Sequence, residues 1–217
     1  MLSLSKEAPL GTGYGLVPDL LLSSTVWTLI QVILFQWPDL SAYKLKRIPY
    51  LDLRNRMVSF IHGILMLFMT LNCIIYPNLH CGALMTQREY SISVISSGYF
   101  SYDFISMAWF GLLDFDMTVH HLLCIIGMAW TVALGKGSNF IAAGLFVAEV
   151  SNPAMHMRIM LKHIGLRYAR AYEIAEFCYF GMFFVGRMIV GMPVVYLTLA
   201  CDQMNWLGKF VCLGVLM

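Results

Sequence analysis

The chain has 217 residues, 59% of them hydrophobic and 12% charged, with a net charge of +2 and a mean hydropathy of +0.73. That charge share is about half that of a soluble domain, and a soluble fold of this size has no way to hide so much apolar surface. The small net charge says nothing about nucleic acid, but no basic run is long enough for that role, so no nucleic-acid partner is expected. The composition therefore specifies an all-α, multi-pass transmembrane helical bundle.

Apolar windows at 16–36, 57–76, 90–113, 117–134, 139–161 and 171–199 read as six spans. Each is near the ~20 residues that carry a helix across ~30 Å of hydrocarbon. None shows the period-2 alternation of a membrane barrel. A seventh window runs from Asn205 to Met217 and is too short to span. The expectation is six complete spans plus a truncated seventh. The first window starts late and is long, so it reads as an uncleaved anchor, not a cleaved signal peptide. Lys44, Lys46, Arg47, Arg54 and Arg56 follow the first window, and Lys162, Arg167 and Arg170 follow the fifth. The third loop holds Asp114 and Asp116, and the opposite side holds Lys6, Arg88 and Lys136. The positive-inside rule puts the first, third and fifth loops in the cytosol and the N-terminus in the lumen or outside.

Six cysteines are present; Cys73, Cys124, Cys178 and Cys212 fall within or near spans, where a small apolar thiol is ordinary. Cys81 and Cys201 both fall in predicted luminal loops, which leaves a disulfide open to them. No zinc-type spacing and no N-glycosylation sequon occurs. No cofactor is expected.

Ionisable groups inside spans cost roughly 2.5 kcal/mol or more at a helix centre, so each needs a reason. Here they are His62, Asp103, His120, His121, Glu149, His156 and Arg187. Glu149, Asn152 and His156 stand at i, i+3 and i+7, one stripe along a helix that should face the bundle interior. Pro153 lacks an N–H and frees the Glu149 carbonyl at the same depth. Counting from the loops, and pairing spans four and five about a hairpin at 135–138, sets His62, Asp103, the His pair, Glu149 and Asn152 in one layer of the cytosolic half. Arg187 falls deeper. The expected architecture is a closed ring of helices around a cavity, with this layer pointing inward.

Structural readings compete with functional ones. His62 beside Gly63 suits an interhelical hydrogen bond, and Asp103 suits bonds to neighbouring hydroxyls. Glu149 and Arg187 suit a structural ion pair, and His156 and Arg158 suit headgroup contacts. The adjacent His120 and His121 point about 100° apart, so one ring can face a cavity while the other braces a neighbour. A neutral imidazole near pH 7 can take and return a proton. Membrane di-iron enzymes use HxxxH and HxxHH clusters, and the chain has neither, so no metal is expected.

The succession Asn55-Arg56, Ser59, His62-Gly63, then Gly98-Tyr99-Phe100 with Asp103, then His120-His121, then Glu149 to Pro153, then Gly186-Arg187 resembles the TLC domain, named for TRAM, LAG and CLN proteins. The likeness is to small TLC-domain transmembrane proteins, distantly related to ceramide synthases. It divides the chain into residues 1–50, holding an N-terminal luminal segment, the first anchor and a basic cytosolic loop, and residues 51–217, the TLC domain. It implies a protein of lipid homeostasis that binds or handles membrane lipids in an intramembrane cavity. The location implied is the endoplasmic reticulum, with the plasma membrane as the alternative. The alternative activity is ceramide-synthase-like acyl transfer from long-chain acyl-CoA. In that reading His120 or His121 is the base or transient acyl acceptor and Glu149 orients the imidazole. His62, Asp103, Asn152 and Arg187 would bind the lipid. Ceramide synthases follow the His pair, one helix later, with His-Asp and Ser-Asp acidic elements. Here Glu149 and Asn152 stand near that place and no His-Asp dipeptide occurs.

Overall fold

The structure, a computed structural model, describes residues 15–36, 38–75 and 79–216. The N-terminal segment with Lys6, expected to be luminal, lies outside the described residues, as do the last positions of the second and seventh windows. The described elements are all helices: Leu16–Gln36 (α1), Arg47–Ile75 (α2), Gln87–Phe110 (α3), Phe115–Leu134 (α4), Ser138–Glu149 (α5), Asn152–His163 (α6), Arg170–Phe184 (α7), a π-helical segment Val185–Gly191, Met192–Ala200 (α8) and Trp206–Leu216 (α9). A 3-10 turn at Ser41–Tyr43 lies between α1 and α2. Among the described residues no β-strand forms, and the bundle is all-α.

By length and apolarity α1, α2, α4 and the continuous Arg170–Ala200 stretch each suffice to cross a membrane. The α3 helix is long enough but carries many hydroxyls, and the packing explains them. Ser93, Ser96, Ser97 and Ser106 are all buried, so they meet protein and not lipid.

Windows of hydropathy and helices diverge in three places. First, α2 begins at Arg47, well before its apolar window, because the preceding polar turns are still helical. An Asp52–Arg56 pair at i, i+4 spaces them, and the buried Arg54 donates to the carbonyls of Leu34, in the last turn of α1, and of Pro38 just beyond it. Those carbonyls are acceptors that a helix end leaves open, and a cation there also suits the helix dipole. Second, the fifth window is two helices broken at Val150–Ser151, just before Pro153. Third, the sixth is interrupted by the π segment.

The α5 helix sits in the middle, touching α2, α3, α4, α8, α9 and the π segment. Its buried Ala142, Ala143 and Ala148 let neighbours approach closely, as small residues do between membrane helices. The expected closed ring around a cavity is therefore plugged by a central helix, and the cavity lies to one side of it. Against α3, α1 lies so close that a Cβ on Gly98 would stand 2.1 Å from the Ser23 hydroxyl oxygen. Ser23 and the Trp27 indole both donate to the Ile95 carbonyl, and Ser24 to that of Gly98.

The two ends differ in how they are tied. At one, Cys81 and Cys201 form a disulfide between the loop after α2 and the end of α8. There the Thr86–Glu89 capping box starts α3, and Ser138 donates to the same Glu89 carboxylate at 2.9 Å. Gly135 and Gly137, with φ of 63° and 79°, make the tight α4–α5 turn that a side chain would strain. At the other, basic end, His163 meets Asp52 at 2.6 Å and pins α6 to α2.

Candidate functional site

Asp114 caps α4 by accepting from the Met117 N–H at 2.8 Å, which sets the phase of the helix one turn before the histidine pair. The two rings part company. His121 is 3% exposed and turns toward α3. Its Nδ1 lies 2.8 Å from the Met117 carbonyl and its Nε2 lies 2.7 Å from Asp103 Oδ2. A carbonyl only accepts, so Nδ1 carries a proton. The Nε2–Oδ2 contact then holds a second proton, on the imidazole or on the carboxyl, and the pair is neutral overall in both arrangements.

Asp103 belongs to a longer chain. Its Oδ1 accepts from Asn55 Nδ2 at 2.7 Å. The Asn55 Oδ1 accepts from Ser106 at 3.2 Å, and the Ser106 Oγ accepts from Gln31 Nε2 at 2.6 Å. One hydrogen-bonded path thus joins α1, α2, α3 and α4. Buried polar groups need such partners, since each left open costs about 1–3 kcal/mol.

His62 is 1% exposed and stands in a second polar cluster. Tyr99 stacks on its ring at 3.8 Å, and Trp27 and Phe100 meet it edge-on at 5.5 and 5.7 Å. Its Nε2 lies 3.2 Å from the Ser96 hydroxyl and its Nδ1 3.7 Å from Glu149 Oε1. The other Glu149 oxygen accepts from Asn152 Nδ2 at 3.0 Å across the α5–α6 break. Gly63 makes this approach feasible, for a Cβ there would lie 3.3 Å from both Glu149 Oε2 and Pro153 Cγ.

His120 turns the other way, into a cavity of about 250 Å³ between α4 and α5–α6. It shares the lining with Glu149, Asn152 and Arg187; half of the rest is Phe100, Met117, Met128, Ile141, Leu145 and Val211. On α4 the lining runs from Met117 to Met128, about 17 Å at 1.5 Å per residue. Arg187 reaches it from the π segment. Single π turns inside α-helices recur at functional sites. This one is pressed against the α5–α6 break: a Cβ on Gly186 would lie 2.5 Å from Val150 Cγ1. Two helix irregularities therefore meet beside the cavity.

The seven expected site residues fall into three groups. His120, Glu149, Asn152 and Arg187 line the cavity. His62 stands behind Glu149. Asp103 and His121 form the separate α3–α4 pair, away from the cavity lining. The expected pairing of Glu149 with His120 or His121 is corrected: Glu149 faces His62 and Asn152, and the acid that holds His121 is Asp103. The reason is the ~100° step between adjacent helical residues, which sends His121 to α3. The Phe100 ring lies edge-on to His62, His120 and His121 at 5.7, 5.8 and 5.5 Å, so the groups are neighbours without being one hydrogen-bonded layer. Among the described residues no three His, Cys, Asp or Glu gather as a metal would require.

Sequence reasoning missed Asn55, Ser106 and Gln31 as members of the polar path, and it passed over Cys124. Cys124 Sγ lies 3.7 Å from His120 Nε2 within the cavity lining. The signal was the i, i+4 spacing, which places both on one helix face.

Residues 52–217 match the sequence model of the TLC domain. No solved structure matches the chain.

Proposed function

The chain belongs to the TLC domain family, and from that premise we propose that its cavity holds one end of a membrane lipid, in the service of lipid homeostasis. The observation that carries this reading is the two-sided lining: His120, Glu149, Asn152 and Arg187 beside Met, Phe, Leu and Ile side chains. Such a surface suits an amphiphile. At about 250 Å³ the cavity is smaller than the ~300–1,000 Å³ of drug-sized pockets, so it takes part of a lipid while the remainder stays in the bilayer. The basic end faces the cytosol in this proposal, because its loops carry the Lys and Arg excess. The Cys81–Cys201 bond supports the same orientation, since disulfides persist on the oxidising side. The endoplasmic reticulum is the proposed compartment.

The test is photocrosslinking of a diazirine-bearing phospholipid to the protein in microsomes. Crosslinked peptides are expected from α4 and α5. A Cβ on Gly144 would meet nothing within 4 Å, so the cavity wall has room for a side chain to start there, and Gly144→Phe puts a ring into the cavity. That variant should lose the crosslink. An unchanged crosslink would dismiss the cavity as the binding place.

A second reading, acyl transfer from long-chain acyl-CoA, is favoured by one observation. His121 is engaged at both ring nitrogens, whereas His120 presents its imidazole to the cavity. His120 is then the base and His121 a positioning residue. Purified protein should turn over palmitoyl-CoA, and His120→Ala should abolish this. Turnover that survives His120→Ala would refute the assignment.

A further inference from the structure

His120, Cys124 and Met128 stand at i, i+4 and i+8 on α4, and all three line the cavity. The Cys124 sulfur lies 3.7 Å from His120 Nε2, within hydrogen-bond reach for sulfur. In the imidazole tautomer with its proton on Nδ1, Nε2 presents a lone pair to the thiol. Nucleophile and base within reach of each other, at the wall of a cavity, is the arrangement that covalent catalysis requires. Arg187 adds a guanidinium to the same lining, which favours the negative charge that develops on a carbonyl oxygen under attack.

We infer that Cys124 is an acyl acceptor, taking the acyl group of a long-chain acyl thioester into a covalent S-acyl linkage with His120 as its base. The inference rests on the lipid-binding reading of the cavity and names the chemistry of one ligand class. In the step, the Cys124 sulfur forms a bond to the thioester carbonyl carbon as His120 Nε2 takes the thiol proton. The tetrahedral centre collapses, the carbon–sulfur bond to the donor breaks, and His120 returns the proton to the departing thiolate. One thioester replaces another, the donor leaves as a free thiol, and no oxidant or reductant takes part. Transfer of the proton during attack avoids a free thiolate in a buried site. The acyl chain on Cys124 lies along Met128, Phe140 and Leu145, which line the cavity beside it.

The cavity also supplies its own control. Cys212 lines the same space, but its sulfur donates to the Thr198 hydroxyl at 3.5 Å and has no imidazole at hand in that bond. A merely accessible thiol would react at both positions; an activated one reacts at Cys124.

The experiment incubates the full chain, purified in detergent micelles, with palmitoyl-CoA, and maps hydroxylamine-labile adducts by peptide mass spectrometry. A photoactivatable palmitoyl-CoA analogue is applied in parallel to wild type and to Cys124→Ala. The expected result is a palmitoyl thioester on Cys124, none on Cys212, and one free CoA thiol released per adduct. At saturating palmitoyl-CoA, His120→Ala should slow adduct formation by about 10²-fold or more, the usual worth of a general base. Photocrosslinking within the cavity with no adduct on Cys124 overturns the inference and leaves the lipid-binding reading standing. Loss of both overturns the inference, and the phospholipid crosslink decides the lipid-binding reading separately. Equal adducts on Cys124 and Cys212, insensitive to His120→Ala, overturn it as uncatalysed acylation.

Discussion

The Asp103–His121 pair makes a prediction in which two substitutions at one position differ in outcome. In Asp103→Asn, the amide oxygen still accepts from Asn55 Nδ2, and the amide N–H donates to His121 Nε2. His121 Nδ1–H still donates to the Met117 carbonyl. Every group keeps a partner, and the path is neutral as before. Asp103→Ala instead removes both 2.7 Å contacts and orphans Asn55 Nδ2 and His121 Nε2, each in a buried setting. Interhelical hydrogen bonds in membranes average about 0.6 kcal/mol and reach ~1.7. Two of them set a floor near 1 kcal/mol for the loss. Two orphaned groups at about 1–3 kcal/mol each set a ceiling near 6. The expected cost is about 3 kcal/mol for Asp103→Ala and under about 1 kcal/mol for Asp103→Asn. Thermal midpoints and SDS-titration unfolding in micelles report both. If Asp103→Asn is as damaging as Asp103→Ala, the pair depends on ionic charge and the neutral proton-sharing argument fails. If Asp103→Ala is within about 0.5 kcal/mol of wild type, the polar path carries no stability.

Gly98→Ala should cost about 1–3 kcal/mol by overpacking α1 on α3. Ser23→Gly on that background should recover most of it, and no recovery would point to some other contact. Single cysteines placed at Lys46 and Lys136 should label from opposite faces of sealed microsomes, and labelling from one face would sink the orientation. Asp52→Asn weakens a tie to His163 and Arg56 that is 20% exposed at the carboxylate. Its effect on stability should stay within about 1 kcal/mol, as for other partly exposed ion pairs; a larger loss in the melting assay would mean that this end of the bundle is held by the tie itself.

Much of the fold was legible because the bilayer imposes a length on apolar runs. The first window, 16–36, coincides with α1, and the fourth is two residues short of α4. The start of α2 was hidden, since hydropathy reports where a helix meets lipid and not where the backbone turns begin. Pro153 announced the break in the fifth window through its missing N–H. The π segment carried a similar notice that went unread: Pro193 lacks the N–H that the Ile189 carbonyl would accept four residues back, while Gly186 and Gly191 pack closely on Val150 and Val147. Of the site, the inward set could be named from the cost of burying charge. The pairings could not, because the match of Asp103 to His121 and of Glu149 to His62 depends on the rotation and height of α3 against α4 and α2 against α5. Gln31 and Asn55 were invisible as partners for the same reason.

The Cys81–Cys201 bond joins positions 120 residues apart and closes α3 to α8 into one covalent ring, with α1–α2 and α9 attached as tails. A protease that nicks any loop within that ring opens it without dividing the molecule. Cleavage in the exposed α6–α7 turn around Arg167 therefore leaves a single species of unchanged mass on a non-reducing gel, and two fragments only after reduction. A cut in the α1–α2 loop at Lys44 releases the first helix in both conditions. The intact chain thus carries its own reporter of which loop a protease has reached, with no tag added.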